Sequence, residues 1–228
     1  MWTKRSHIIE DLDNLELQGK ELTKTLDGLS KINRWFGNTK HTLQAVKSQF
    51  KKHDVQTIVD LGCGGGDNLI AIARWCQAEN KEVKLIGIDG NQNTLNYAKS
   101  KSDFEIEFRQ ADISNKTFTI PKCDLLISSH FVYHFRDDDL IVFLKQAKSH
   151  VNKALIFSEL ERSPVAYFLF IFVGGWFGRM IQSDGLKAIK RSFTRRELTK
   201  LLNESGIGKI HVKKKLLFRL LAVIELNK

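Results

Sequence analysis

From residue 55 onward the chain alternates short apolar runs with stretches whose apolar positions recur every three or four residues, the pattern of strands separated by helices. The runs predict strands near 55–61, 83–89, 104–110, 123–129 and 152–160, and the helical periodicity predicts helices over 66–79, 92–101 and 137–150. Residues 8–50 hold no strand pattern. Leu15, Leu17, Leu22, Leu26, Leu29, Ile32 and Trp35 recur there at helical spacing, with Gly37-Asn38 as a stop, so residues 1–50 are expected to form a helical cap. Beyond the fifth strand a helix over 194–206 is opened by Thr194 with Glu197 three residues on, a capping box. Lys209 to Phe218 and Leu220 to Leu226 then read as a terminal hairpin. Strands alternating with helices in this order indicate an α/β protein with a mostly parallel sheet.

The stretch 164–182 is apolar and rich in aromatics. As one helix its 19 residues would run about 28 Å, close to a hydrocarbon core of roughly 30 Å. A membrane span is disfavoured, because Gly174-Gly175 interrupts the helix and the chain must return to the same sheet. Two short helices forming an apolar lid are expected, with Phe168, Phe172, Trp176 and Phe177 packing on Trp35 and Phe36 and leaving an apolar pocket on their other side. The division is then a cap (1–50), a core (51–162), a lid insert (163–192) and a C-terminal helix with hairpin (193–228), all within one domain over 1–228.

At 228 residues the chain is long enough for one well-buried α/β core and short for two full domains. Cys63, Cys76 and Cys123 are odd in number and fall in or beside core elements, which points to a reduced, cytosolic chain without disulfides. The first ten residues turn acidic at Glu10-Asp11 before any apolar signal core, which argues against secretion by that route. No metal-ligand spacing stands out. The net charge of +10 gathers at Lys187, Lys190, Arg191, Arg195 and Arg196 and at Lys213-Lys214-Lys215, a basic face suited to phosphates or an anionic bilayer.

Residues 59–66 read Val-Asp-Leu-Gly-Cys-Gly-Gly-Gly, an acid followed by glycines at alternate positions directly behind a strand. Glycine tolerates positive φ and lets a ligand approach the backbone, so Asp60, Gly62, Gly64 and Gly66 imply a cofactor lying across the turn. A dinucleotide fingerprint would need glycine at 67, where Asp67 sets a carboxylate beside the helix N-terminus that would hold a pyrophosphate. A cationic or neutral ligand is therefore expected. Asp89 ends the second strand, Gln110-Ala111-Asp112-Ile113 follows the third, and Cys123 to Ser129 forms the fourth.

These four landmarks, in this order, resemble the class I S-adenosylmethionine (SAM) dependent methyltransferases. The resemblance implies a Rossmann-like sheet of seven strands in the order 3-2-1-4-5-7-6, with the seventh antiparallel, and SAM as cofactor without a metal. It implies cofactor contacts at Asp60, Gly62, Cys63 and Gly64 of the turn, at Asp89 and Gly90 for the ribose, at Asp112 and Ile113 for the adenine, and at Ser128. Asn33 to Gly37, Arg162 to Tyr167, Asp184-Gly185 and Arg191 to Leu198 are further similar to a bacterial subgroup that modifies phenolic, polyketide-derived or quinone-like metabolites.

Methyl transfer from a sulfonium chiefly requires the acceptor to be held in line in a water-poor site. A phenol, with a pKa of about 10, gains from a neutral histidine that takes its proton. The loop after the fourth strand supplies His130, Tyr133 and His134 as candidates, and Glu159 and Glu161 offer carboxylates nearby. In the resembling family a His-His or aromatic pair stands here. Tyr133 departs from it and His134 takes the place of a second His that often packs structurally, so the base stays open between His130 and His134. The expected acceptor is an apolar aromatic or lipid-like small molecule methylated at a phenolic hydroxyl. C-methylation of a quinone precursor, RNA methylation and non-catalytic SAM binding are the alternatives. Nucleic acid is disfavoured, because no Asn/Asp-Pro-Pro-aromatic motif follows the fourth strand and no appended RNA-binding module fits. A cytoplasmic protein is expected, with peripheral contact to the inner face of the membrane through the lid.

Overall fold

The computed structural model describes residues 2, 4–115 and 117–226. Met1, Thr3, Lys116, Asn227 and Lys228, which the domain limits include, lie outside the described residues. A seven-stranded sheet is built from β1 (Thr57–Leu61), β2 (Lys84–Asp89), β3 (Glu107–Gln110), β4 (Cys123–Ser129), β5 (Val151–Leu160), β6 (Gly208–Lys215) and β7 (Arg219–Leu226). The strand order is β3-β2-β1-β4-β5-β7-β6, as the resemblance implied. β1 pairs in parallel with β2 and β4, and β7 runs antiparallel to β5. All parallel strands therefore present their carboxyl ends along one edge, where α/β sheets take ligands.

Successive residues of the central strands point to opposite faces, so each strand feeds two cores. Val59, Leu61, Leu126, Leu155 and Phe157 belong to one, beneath α5 (Asp137–His150) and α8 (Arg195–Ser205). Ile58, Leu125, Ile127, Ala154 and Ile156 belong to the other, together with α3 (Asp67–Ala78). The N-terminal segment holds two helices, α1 (Gly19–Trp35) and α2 (Asn38–Phe50), and α2 sends Ala45 and Val46 into this second core beside α3.

Caps set the helix limits. Asn91 accepts from the backbone N–H of Asn93 (2.8 Å) and Thr94 (3.4 Å) to start α4 (Gln92–Lys101). Ser163 caps α6 (Pro164–Val173), with Pro164 in the first turn where its missing N–H costs nothing. Thr194 and Glu197 form the expected capping box of α8. Gly174 and Gly175 end α6 in a single 3-10 turn before α7 (Arg179–Arg191), so the lid is two helices, the second reaching further than expected.

Gly37, at φ +74°, marks the expected stop: α1 ends at Trp35 and the chain turns there into α2. Two expectations fail locally. Leu15 and Leu17 precede α1, because the chain enters the helix through Gly19 at φ +76°. β6 stops at Lys215, and the hairpin turns through Leu216 to Phe218, where Leu217 and Phe218 take left-handed φ values of +58° and +56°. Turns of this hand usually employ Gly or Asn, so an apolar tip hides itself from pattern reading. The tip is tied down by the Glu161 N–H, which donates to the Phe218 carbonyl at 2.7 Å.

Candidate active site

One cavity of about 870 Å³ opens at the carboxyl ends of β1, β2 and β4. Its floor is the glycine turn. Gly62 and Gly64 stand at φ +65° and +51°; a Cβ on Gly62 would come within 2.5 Å of the Phe131 ring, whereas one on Gly64 would point into open space. Asp89 ties this turn to the next, its carboxylate accepting from the backbone N–H of Gly64 and of Asn91, each at 3.0 Å. Burial raises the Asp89 pKa, with these N–H donors acting in the opposite sense.

Gly62, Cys63, Gly64, Asp89, Gly90, Asp112 and Ile113 all line the cavity, whereas Asp60 and Ser128 do not. Asp60 is fully buried beneath the turn, where burial raises its pKa well above the ordinary carboxylate range. No donor is aligned on either of its carboxylate oxygens. Ser128 is a correction: its hydroxyl donates to the Leu61 carbonyl at 2.8 Å, within the β1–β4 pair. Its neighbour Ser129, one residue further out of the sheet, lines the cavity instead and accepts from the Asn68 amide at 3.0 Å.

The loop after β4 separates the three catalytic candidates. His130 is half-buried at φ +55°, a rare backbone state for a non-glycine residue, and its Nε2 accepts from Nη1 of Arg219. Burial and the Arg219 charge push its pKa well below the ordinary value, so the ring stays neutral with that lone pair engaged. Tyr133 is buried and donates from its hydroxyl to Oε2 of Glu10 at 3.2 Å. His134 stacks on Tyr133 with ring centroids 4.4 Å apart, and its Nδ1 meets Oδ1 of Asp13 at 3.2 Å.

Asp13 and Glu10 come from the N-terminal segment, which crosses the cavity as a strap. Arg5 anchors it, donating to the carbonyls of Tyr133, Phe135 (3.0 Å) and Arg191 (2.8 Å). The backbone N–H groups of Asp11 and Leu12 donate to the Asp184 carboxylate at 2.7 and 2.9 Å. Leu15 lies over Gly90, close enough that a Cβ there would meet it at 2.7 Å. The Arg191 guanidinium reaches Oε1 of Glu10 at 3.1 Å and Oδ2 of Asp13 at 2.7 Å. The two acids part company. Burial and the Asp13 charge push Glu10 up to about 8, whereas His134 and Arg191 overcome burial at Asp13 and hold it far below the usual range. Ligand atoms of Glu10, Asp13 and His134 all lie within 4.8 Å of one another. Chain spacing did not reveal this cluster, since its members come from distant segments. Arg191 already balances the two acids.

The lid roofs the cavity with Ala166, Leu169, Phe170 and Val173 of α6 and Ile181 of α7. The aromatics expected to pack inward are divided. Phe177 meets Trp35 edge to face at 5.7 Å, but Phe168, Phe172 and Trp176 are 59%, 76% and 85% exposed, and Trp35 itself 64%. α6 is apolar on every side, so periodicity could not tell its inner face from its outer one.

A family model described as a methyltransferase domain matches residues 58–154. Phosphoethanolamine N-methyltransferase of Triticum aestivum is 32% identical over 116 residues, which cover 48% of this chain and 21% of that protein's length. Among solved structures, a plantazolicin methyltransferase in complex with a pentazolic substrate analogue and S-adenosylhomocysteine aligns at a TM-score of 0.65 and 17% identity, covering 92% of this chain and 98% of that one. Human N-acetylserotonin methyltransferase in complex with SAM aligns at 0.63 and 18%, covering 91% and 56%. Magnesium protoporphyrin IX methyltransferase from Synechocystis with bound S-adenosylhomocysteine aligns at 0.58 and 14%, covering 93% and 90%. This is the class I methyltransferase fold.

Within the methyltransferase fold, the signals readable from sequence sit at the strand ends and those missed sit elsewhere. Glu10, Asp13, Arg191 and Arg219 reach the cavity from the two ends of the chain and from the lid. The only local hint was the acidic pair Glu10-Asp11, which marks the strap without indicating what it crosses.

Proposed function

We propose that this protein is a SAM-dependent methyltransferase that methylates the phenolic hydroxyl of an apolar aromatic small molecule, of the kind that the resembling bacterial subgroup modifies. The observation that carries the reading is the continuity of one cavity from the glycine turn and Asp89 to the apolar lid and the Asp13–His134 pair. The residues fit the cofactor. Asp89 lines the cavity with a carboxylate suited to ribose hydroxyls, Asp112 and Ile113 line it with an acid and an apolar side chain suited to an adenine amine and ring, and Gly64 leaves its space clear.

SAM would supply an electrophilic methyl group on a good leaving group. The chain's own contribution is to orient the acceptor and keep water out, and here the strap and lid close two sides of the cavity. His134 is the favoured base. Its Nδ1 faces Asp13, which orients the ring and favours the imidazolium that forms when a phenol gives up its proton. His130 is poorly placed for that role, because its Nε2 lone pair is held by Arg219.

The same reading places the protein in the cytoplasm, at the inner face of the membrane, where it would meet a lipid-soluble acceptor. The outer side of α6 supports this, with Val165, Phe168 and Phe172 exposed beside Trp176 and Trp35, and the exposed Arg34 and Arg179 close by in the chain. Among the described residues no helix is long and apolar enough to cross a membrane.

Isothermal titration with S-adenosylhomocysteine, with ATP and NAD as controls, tests the cofactor assignment, and micromolar binding of the first alone is expected. Incubation with SAM and a panel of phenols, read by mass spectrometry for the gain of one methyl group, tests the reaction. Absence of S-adenosylhomocysteine binding would overturn both and leave a non-catalytic scaffold.

A further inference from the structure

Arg219 opens β7 at the acceptor end of the cavity, and its guanidinium is buried, with the residue only 2% exposed. Its Nη1 donates to His130, its Nε has no hydrogen-bond partner, and among the described residues no carboxylate oxygen lies within the 4.0 Å of an ion pair. The acid closest in effect is Glu159, whose Oε1 accepts from the backbone N–H groups of Phe131 and Val132, both at 3.1 Å, and whose Oε2 has no hydrogen-bond partner but lies beyond ion-pair distance of Arg219. Glu161, on the same cavity wall, is paired with Lys214 at 2.5 Å. Burial brings the Arg219 pKa down to about 10, with Glu159 pulling the other way, so the guanidinium is still charged at neutral pH.

A buried cation without a counterion is costly, and proteins rarely retain one without a purpose. The backbone reinforces the point. His130, which meets the guanidinium, holds a left-handed φ of +55°, so backbone strain is maintained at this contact. Leu160, Leu217 and Phe218 add apolar surface to the same cavity.

We propose that Arg219, which lines the cavity, binds an acidic substituent of the acceptor, a carboxylate or a phenolate carried on an apolar aromatic ring, through its guanidinium. This rests on the methyltransferase reading and deepens it, because it sets the chemical class of acceptor as an aromatic acid rather than a neutral ring. His130 is then a positioning residue, neutral and accepting, that keeps the guanidinium aimed at the cavity.

The test titrates the protein, with and without S-adenosylhomocysteine, with 4-hydroxybenzoate, with its methyl ester and with 4-nitrophenol. The expected result is that the carboxylate binds about tenfold to a hundredfold more tightly than the ester, the range for a hydrogen bond to a charged group. Arg219→Gln should abolish that preference while leaving S-adenosylhomocysteine affinity unchanged. The 4-nitrophenol absorbance gives a readout in the unaltered protein: the bound phenol should ionise at lower pH than the free one, whether or not the variant folds. Equal affinity for acid and ester, or an unshifted or raised ionisation of bound nitrophenol, would overturn the proposal. Loss of S-adenosylhomocysteine binding with the acid preference intact would instead overturn the cofactor reading and leave the Arg219 assignment standing.

Discussion

Asp13 Oδ1 lies 3.2 Å from His134 Nδ1, although one residue belongs to the N-terminal strap and the other to the loop after β4. A carboxylate on one ring nitrogen leaves the other, Nε2, free to receive a proton, and the Asp13 charge stabilises the imidazolium that results. The strap therefore does more than cover the cavity. It is held in place by Arg5 and Asp184, and with it Asp13.

If His134 is the base, His134→Ala should lower kcat by about a hundredfold or more, the usual weight of general base catalysis. Asp13→Asn should give a smaller loss. His130→Ala should alter acceptor KM more than kcat, since its ring acts through Arg219. Steady-state kinetics with a phenolic acceptor checks all three, and equal, negligible effects at both histidines would leave positioning alone as the mechanism.

Asp89 is the sharpest test of the cofactor half. Its carboxylate faces the cavity while being fixed by two backbone N–H groups, so it is preorganised for ribose hydroxyls. Asp89→Ala should weaken S-adenosylhomocysteine by roughly tenfold to a hundredfold, as expected for a hydrogen bond to a charged group worth about 1.5–3 kcal/mol. Asp112→Ala should cost less, because that side chain is exposed and already shares one oxygen with Ser114. Calorimetric titration of both variants separates these outcomes.

The cofactor half was legible in the sequence because its signals are local. A glycine turn and an acid at a strand end carry their geometry within a few residues, and caps such as Asn91 and Thr194 fix helix starts in the same way. The strand order was not written in periodicity at all; it came from family resemblance and agrees with the structure. The acceptor half was hidden for a physical reason. Asp13 and Arg191 are paired, and Arg219 joins them on one cavity, only by tertiary packing, and each taken alone reads as an ordinary surface charge. The faces of α6 were unreadable because ten successive apolar residues have no polar side to set a phase.

Glu159 makes stability depend on pH. Burial pushes its carboxyl up to about 8 from an ordinary 4.5, despite the two N–H donors on Oε1. A folded value above the unfolded one means that the native state holds its proton longer. The stabilisation is complete below the unfolded value and is lost as pH rises through the folded one. The unfolding free energy should therefore fall between about pH 5 and pH 8 by on the order of a few kcal/mol at most, read as a falling melting temperature. Glu159→Gln keeps an acceptor for both N–H groups and should flatten that slope. A slope unchanged in the variant would assign the effect to another group, with Glu10 the next to examine.

The outer face of the lid makes a prediction that depends on the bilayer as partner. Phe168, Phe172 and Trp176 leave most of their surface exposed, yet α6 carries no charge to keep it in water. An interfacial helix gains from exposed aromatic surface, and cationic residues add attraction to anionic lipid that salt weakens. Sedimentation with vesicles containing phosphatidylserine should therefore carry the protein down at low salt, and less so with phosphatidylcholine alone or at high salt. Each of Phe172→Ser and Trp176→Ser should weaken binding by about 1–2 kcal/mol, near tenfold apiece, while leaving S-adenosylhomocysteine affinity intact because neither side chain lines the cavity. Binding that follows charge alone and ignores these substitutions would assign the attraction to the basic hairpin and α8, and would leave the exposed aromatics for another partner.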